Sequence, residues 1–364
     1  MSPLRILSAL VVICVAPSAA QVQSSHLLHP QTLQSGLIFQ HWKTGSRGEE
    51  LQEIVLPMVF NYTPNERYSI SILNTPARAS YTTANRSSRL TGFSDTKIST
   101  AIVLGEERAL LNIGANLPSG IAQLDPQAEL PVAEKITNHA LAMPMNYFGG
   151  GWDVGLSLAV AGEVGKWVIG GALSGVYKGK YVPVDGAGAY RPGAEIGFSL
   201  GADRAVGARD RVFGELSYTW YDKDRLDGQK VFQADGRIGA SAGGIFIPEP
   251  WQISVLLRNQ FKRKSPFAFN EALSISYGNE LELAAEFARG YGRERAWLIV
   301  ANLVFHGANE IGLGDAVIGS LGPGWRGRIS TPLRIHTLAR IAFGEMNDNS
   351  IWGIEANFGL VWEF

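Results

Sequence analysis

Four basic side chains stand where together they would grip an anion. Arg334, His336 and Arg340 fall on one face of the alternating stretch Leu333 to Phe343, and Arg258 falls on the corresponding face of Trp251 to Phe261. A guanidinium forks onto a carboxylate with two parallel bonds, so this constellation points to recognition of a ligand's anionic group. The competing reading is that these residues pair with carboxylates on similar alternating stretches, such as Glu215, Glu282 and Glu286, and fill a polar interior. His26, His29, His41, His139, His306 and His336 are available for nucleophilic catalysis, yet none lies in a short hydrolase motif. Nor is there metal-ligand spacing, a phosphate-cradling loop or a nucleotide motif. The expectation is a non-enzymatic protein without metal or cofactor.

The elements that would position these side chains are strands. In the last fifteen residues, Trp352, Ile354, Ala356, Phe358, Leu360, Trp362 and Phe364 share one side of an extended chain, while Gly353, Glu355, Asn357, Gly359, Val361 and Glu363 share the other. An apolar face with aromatics near both ends marks a strand that crosses a bilayer. The final eight residues resemble the C-terminal assembly signal of bacterial outer-membrane barrels, through Asn357, Gly359, Trp362 and the terminal Phe364. At the other end, residues 1–20 carry Arg5, an apolar run from Ile6 to Val15, and small residues at Ser18 and Ala20. That is a cleavable export signal too short to span as a helix. The sole cysteine, Cys14, lies within it, so the exported chain is expected to hold no disulfide.

Composition agrees. The chain is 46% hydrophobic, contains 42 glycines and has a net charge of −1, without the basic surplus that nucleic-acid binding requires. Alternating segments recur along its length, joined in turn by short and long connections. Together they predict an all-β, antiparallel up-and-down transmembrane β-barrel of roughly 14 strands, with 12 to 16 open. The expected organisation is signal peptide 1–20, a periplasmic or luminal segment 21–34 and the barrel 35–364. Residues 75–92, 117–150, 178–190 and 222–229 read as extracellular loops. The stretch between 265 and 331 does not resolve into a definite number of strands.

The connection from Leu117 to Gly150 is the most unusual. Asp125-Pro126 is a helix-starting pair, Val132, Ile136 and Ala140 recur at helical spacing, and Met143, Met145, Tyr147 and Phe148 make an apolar, Met-rich stretch. One short helix is expected, with the segment either packed over the barrel rim as a lid or folded into the mouth as an apolar, Met-rich contact surface for a ligand.

Gly92-Phe-Ser-Asp95, Asn112-Ile-Gly114-Ala-Asn116-Leu-Pro118-Ser-Gly120 and Phe148-Gly-Gly-Gly-Trp152-Asp153 resemble outer-membrane barrels of the long-chain fatty acid and aromatic-hydrocarbon transporter superfamily, including its phenol-degradation-associated branch. The resemblance implies passive diffusion of a small hydrophobic or amphipathic compound through a partly plugged barrel with a lateral opening. A general aqueous porin and an outer-membrane lipid hydrolase on the same fold are the alternatives. Expected partners are outer-membrane lipid and lipopolysaccharide, the barrel-assembly machinery at the C-terminal strand and the small ligand. The expected state is a monomer.

Overall fold

A membrane offers the backbone no hydrogen-bond partners, so strands cross it only in a sheet whose two ends meet. The computed structural model describes residues 31–45, 48–105, 108–267, 270–276, 278–291, 294–307 and 315–364. In chain order the strands are β1 (Gln31–Thr44), β2 (Glu50–Val55), β3 (Met58–Asn65), β4 (Tyr68–Asn74), β5 (Pro76–Thr83), β6 (Arg86–Phe93), β7 (Thr96–Leu104) and β8 (Ala109–Leu117). After helix α1 (Leu130–Ile136) come β9 (Asp153–Val164), β10 (Trp167–Lys178), β11 (Tyr190–Arg191), β12 (Glu195–Ala205), β13 (Arg211–Tyr221), β14 (Lys223–Leu226), β15 (Gln229–Gln233) and β16 (Arg237–Phe246). The series ends with β17 (Trp251–Lys262), β18 (Lys264–Phe267), β19 (Asn270–Ser276), β20 (Glu280–Gly290), β21 (Arg295–His306), β22 (Ala316–Ser330), β23 (Leu333–Met346) and β24 (Asn349–Glu363).

Pairing of β1 with β24, from Thr32↔Glu363 to Thr44↔Ile351, closes the sheet on itself. Nineteen of the described strands share it, and β2–β3, β4–β5 and β6–β7 are each one crossing interrupted midway, which makes sixteen crossings. The first interruption is at Pro57, which has no N–H to give the ladder, and β1 keeps one register across it (Ile38↔Val55, Ser35↔Met58). The remaining strands, β11, β14, β15, β18 and β19, form a separate five-stranded sheet among the long connections.

The barrel is therefore two crossings larger than the 14 expected, and the reasons are local. Residues 75–92, read as a loop, are the hairpin β5–β6, paired from Pro76↔Phe93 to Thr83↔Arg86. Its small polar residues hid a strand whose outer face meets water instead of lipid. The Gly-rich stretch before Arg328 is β22, where glycines replace side chains and blur the alternation. The stretch Val231 to Phe246, which alternates as a single strand would, is split between β15 and β16, so Gln233 and Asp235 lie outside the wall. Wall strand β1 starts at Gln31, four residues before the expected boundary. Residues 1–30, with the expected export signal, Cys14, His26 and His29, lie outside the described residues.

Alternation is obeyed in the strands that face lipid. In β24 the even-numbered set from Trp352 to Trp362 points outward and the odd-numbered set inward. Outward aromatics gather at two levels: Trp152, Tyr177, Trp220 and Trp352 towards the long connections, and Trp167, Trp251, Trp297, Trp362 and Phe364 towards the short turns. Ten residues of tilted strand separate Trp352 from Trp362, about 25 Å of height, the depth of an apolar membrane band.

Above that band the wall is uneven. The segments Ile38–Thr44, β2, β5 and β6 continue past the point where β8 has ended, and their outward residues turn polar: His41, Lys43, Glu50, Gln52, Arg78, Ser80, Thr82, Ser87, Arg89 and Thr91. This half-cylinder stands in water on one side of the mouth. Its inner face is apolar, and the main hydrophobic core of the molecule sits there.

Candidate functional site: a plugged lumen and its mouth

The inner face of the half-cylinder presents Ile38, Trp42, Leu51, Val55, Ala77, Ala79 and Leu90, with Ala316, Ile318, Ala342 and Ile351 completing the ring from β22 to β24. The connection between β8 and β9 folds inward to cover them. Asp125 does not cap the helix: its Oδ1 accepts the Gln127 and Ala128 amides in a preceding turn, and α1 starts at Leu130 with Pro131 in its first turn. Val132 and Ile136, buried on one face of α1, lie against β5 and β6. A single 3₁₀ turn, His139–Leu141, follows. Met143, Met145 and Phe148 are buried, so the segment is a plug inserted into the mouth, whereas Tyr147 stays exposed beneath the Lys97 ammonium, 5.9 Å from its ring centre.

Polar side chains of the wall fasten this plug. Asp95, at the break between β6 and β7, is 1% exposed and holds both of its ends: Oδ1 accepts the Gly120 amide at 2.9 Å, and Oδ2 accepts the Gly150 amide at 2.8 Å and Asn116 Nδ2 at 3.1 Å. Gly120 and Gly149 cannot carry a side chain here, since an added Cβ would lie 2.1 Å from the Phe148 carbonyl oxygen and 2.8 Å from the Ile121 carbonyl carbon. Gln40 Nε2 donates to the Leu141 carbonyl at 3.1 Å. Glu53 is fully buried, and its Oε2 accepts the Met145 amide at 3.1 Å. Burial pushes the Glu53 carboxyl up to about 8, the Met145 bond opposing the change. Sequence reasoning missed Gln40 and Glu53 and singled out Asp95 only as part of the stretch Gly92 to Asp95. The signal was present, because Gln40 and Glu53 occupy inward positions of alternating strands.

Below the plug the lumen is lined by ion pairs. Arg258 pairs with Glu282, which also accepts from Asn302 at 3.1 Å. Arg340 pairs with Glu355 at 2.5 Å, and Arg326 with Glu286 at 2.9 Å. Arg334 and Arg328 share Glu363, at 3.0 and 3.2 Å. The expected anion-binding four are thus all inward, as the alternation required, but each arginine already faces a carboxylate. Arg258 stands on β17 and the others on β23, so they are not gathered in one place. His336 lies over Gly359, where an added Cβ would be 1.8 Å from the ring Cε1. The absence of a side chain at Gly359 thus leaves room for the imidazole.

Between the plug and the β21–β24 wall lies a small cavity of about 50 Å³, lined by Trp42, Leu141, Val304, Ile318 and Arg340 among others. His139 precedes Ala140, one of the lining residues, and burial, then the positive charge of Lys262, hold its imidazole below the ordinary value. Among the described residues no group of three or more His, Cys, Asp or Glu is placed to hold a metal.

A closed antiparallel barrel with an apolar outer band, two aromatic girdles and a charged lumen is an outer-membrane β-barrel, and the outer membrane is where this chain resides. Solved structures similar to it include outer-membrane channels. The CymD monoaromatic hydrocarbon channel matches at 13% identity with a TM-score of 0.49, over 96% of this chain and 95% of that one. The anion-selective porin from Comamonas acidovorans matches at 9% with 0.43, over 92% and 98%. An outer membrane channel from Pseudomonas putida F1 matches at 11% with 0.39, over 96% and 97%. At these values the likenesses say nothing about this chain's ligand. No protein-family model and no curated protein matches the sequence.

Proposed function

We propose that the chain is a plugged outer-membrane channel through which a small hydrophobic or amphipathic compound diffuses passively. The observation that carries this reading is the plug: Leu141, Met143, Met145 and Phe148 are packed inside the mouth against an apolar inner wall. A general aqueous porin narrows its pore with opposed charges around open water. Here the mouth is closed by apolar packing that includes two buried methionines, side chains that would adapt their shape as a solute displaces them. The lumen arginines Arg258, Arg334 and Arg340, with His336, would then guide a polar end of the compound past the plug by exchanging carboxylate partners. The C-terminal strand, through Asn357, Gly359, Trp362 and Phe364, would be the part read by the assembly machinery, and lipopolysaccharide would meet the polar outer face of β5 and β6.

The test is conductance in planar bilayers of the full chain and of a variant in which residues 123–147 are replaced by a short Gly-Ser linker. The expected result is a silent or briefly flickering full-length protein and steady ohmic current from the variant. A steady open pore in the intact protein would refute the reading in favour of a porin.

A further inference from the structure

Among the inward carboxylates of the membrane-crossing wall, Glu215 is placed differently from the rest. Glu282, Glu286, Glu355 and Glu363 each meet an arginine, and Asp203 takes Arg211 at 2.8 Å. Glu215 was expected to pair in the same way. It has neither an ion pair nor a hydrogen bond among the described residues, and it is half-buried. An ionised carboxylate drawn from water and given no donor is destabilising, and it attracts any cation that can reach it.

Glu215 stands midway along β13, between Trp220 of the upper girdle and Arg211 at the short turn. Directly opposite it on the two neighbouring strands are Gly201, which has no side chain, and Ser241, which has a short one. Neither fills the space over the carboxylate or brings a positive charge. The next residue along that row, Arg258, lies opposite Ser241 and engages Glu282 on its far side. Two residues from Glu215 on the same face of β13, the Phe213 ring lies across Gly243, where an added Cβ would come within 2.6 Å of the ring Cζ. A carboxylate with an open approach and an aromatic ring beside it offers an ammonium group the two surfaces it prefers, one by charge and the other by the electron-rich ring.

We propose that Glu215, with Phe213 beside it, is a cation-selecting site of the lumen that takes the ammonium group of a small amphipathic amine. This rests on the plugged-channel reading and deepens it by naming the ligand's charged group. An anion would be repelled from the same place.

Cys14 is the sole cysteine, so in a Cys14→Ser background the full chain carrying Ser241→Cys offers one thiol, directly opposite Glu215. Its rates of modification by aminoethyl and sulfonatoethyl methanethiosulfonate, a cation and an anion of similar size, are measured in detergent and each divided by the rate with a free thiol. Heat-modifiable migration confirms the barrel in every variant. The cationic reagent is expected to be preferred by tenfold or more, Glu215→Gln to bring the preference to about twofold or less, and Glu215→Asp to retain most of it. Hexylamine should slow modification by the uncharged methyl reagent, and hexanol at the same concentration should not. Equal rates for the two charged reagents, a preference unchanged in Glu215→Gln, or a thiol that neither reagent reaches until the barrel is unfolded overturns the site; equal protection by hexanol overturns the amine. Bilayer conductance judges the channel separately. A silent bilayer without the cationic preference removes the site and leaves the plug standing, whereas a steadily open pore with the preference intact refutes the plug and leaves Glu215 as a cation site.

Discussion

Glu53 is a carboxyl placed where an ionised one is disfavoured, and replacing it with Gln should uncouple plug closure from pH. The group lies on β2, above the membrane band, fully buried against the plug, with one bond from the Met145 amide. In the seated plug, burial raises its carboxyl from the ordinary 4.5 to about 8, and unseating the plug would let water return to it. A carboxyl raised in the closed state favours closure in its protonated form. That contribution is complete below about pH 4.5, declines as pH rises, and is gone once pH passes about 8. The slope in that window is at most a tenfold change in the open-to-closed ratio per pH unit, with a ceiling of roughly 5 kcal/mol across it. His139 works in the opposite sense at the acid end, because its value is lowered in the seated plug and acid charges it there. Single-channel open probability between pH 5 and 9 reads both. Wild type should open more often as pH rises from 6 to 8, Glu53→Gln should be flat over that range, and a His139→Gln variant should lose the acid limb alone. An open probability that ignores pH in wild type, or that climbs equally in Glu53→Gln, would refute the reasoning.

Other outcomes follow from the same geometry. Asp95→Ala removes the acceptor of two plug amides and of Asn116; leaving buried donors unsatisfied costs about 1 to 3 kcal/mol each, so trypsin should cut at Lys135 in the variant far faster than in wild type, with the barrel still heat-modifiable. Gly359→Ala drives a methyl into the His336 ring, and the double variant Gly359→Ala with His336→Ala should recover the lost yield of folded barrel; failure to recover would show that the glycine serves something other than the ring. Arg340→Ala strands Glu355 in the lumen and should lower thermal stability by about 1 to 3 kcal/mol, measurable as an earlier loss of heat-modifiable migration, with Arg340→Ala plus Glu355→Gln milder than the single change.

Much of this was legible from alternation. The lipid and lumen faces of β17, β23 and β24 could be assigned residue by residue because the membrane imposes an apolar outer set on each of them. Where that constraint lapses, the signal fades: β5 and β6 stand in water on their outer face and have small inner residues, so they read as a loop, and β22 replaces side chains with glycine. The plug was visible as an apolar segment needing cover, although not its depth, since insertion depends on Gln40, Glu53 and Asp95, which come from three separate parts of the wall. The expected anion site in the lumen had the right orientation but ignored the carboxylates opposite, and cross-strand partners depend on register, which one strand's sequence does not contain.

Asp95 holds the amides of Gly120 and Gly150 together, so the plug is a tethered ring: the chain between them, about thirty residues, closes on a single side chain. A plug that lifts out keeps both feet in place, and the cost of closing that loop has been met before it moves. Its return to the mouth is an encounter with a target it never leaves, at the high effective concentration that a short tether imposes. Openings of such a gate should be brief and self-terminating, which suits the admission of single small molecules across a membrane whose purpose is to stay shut.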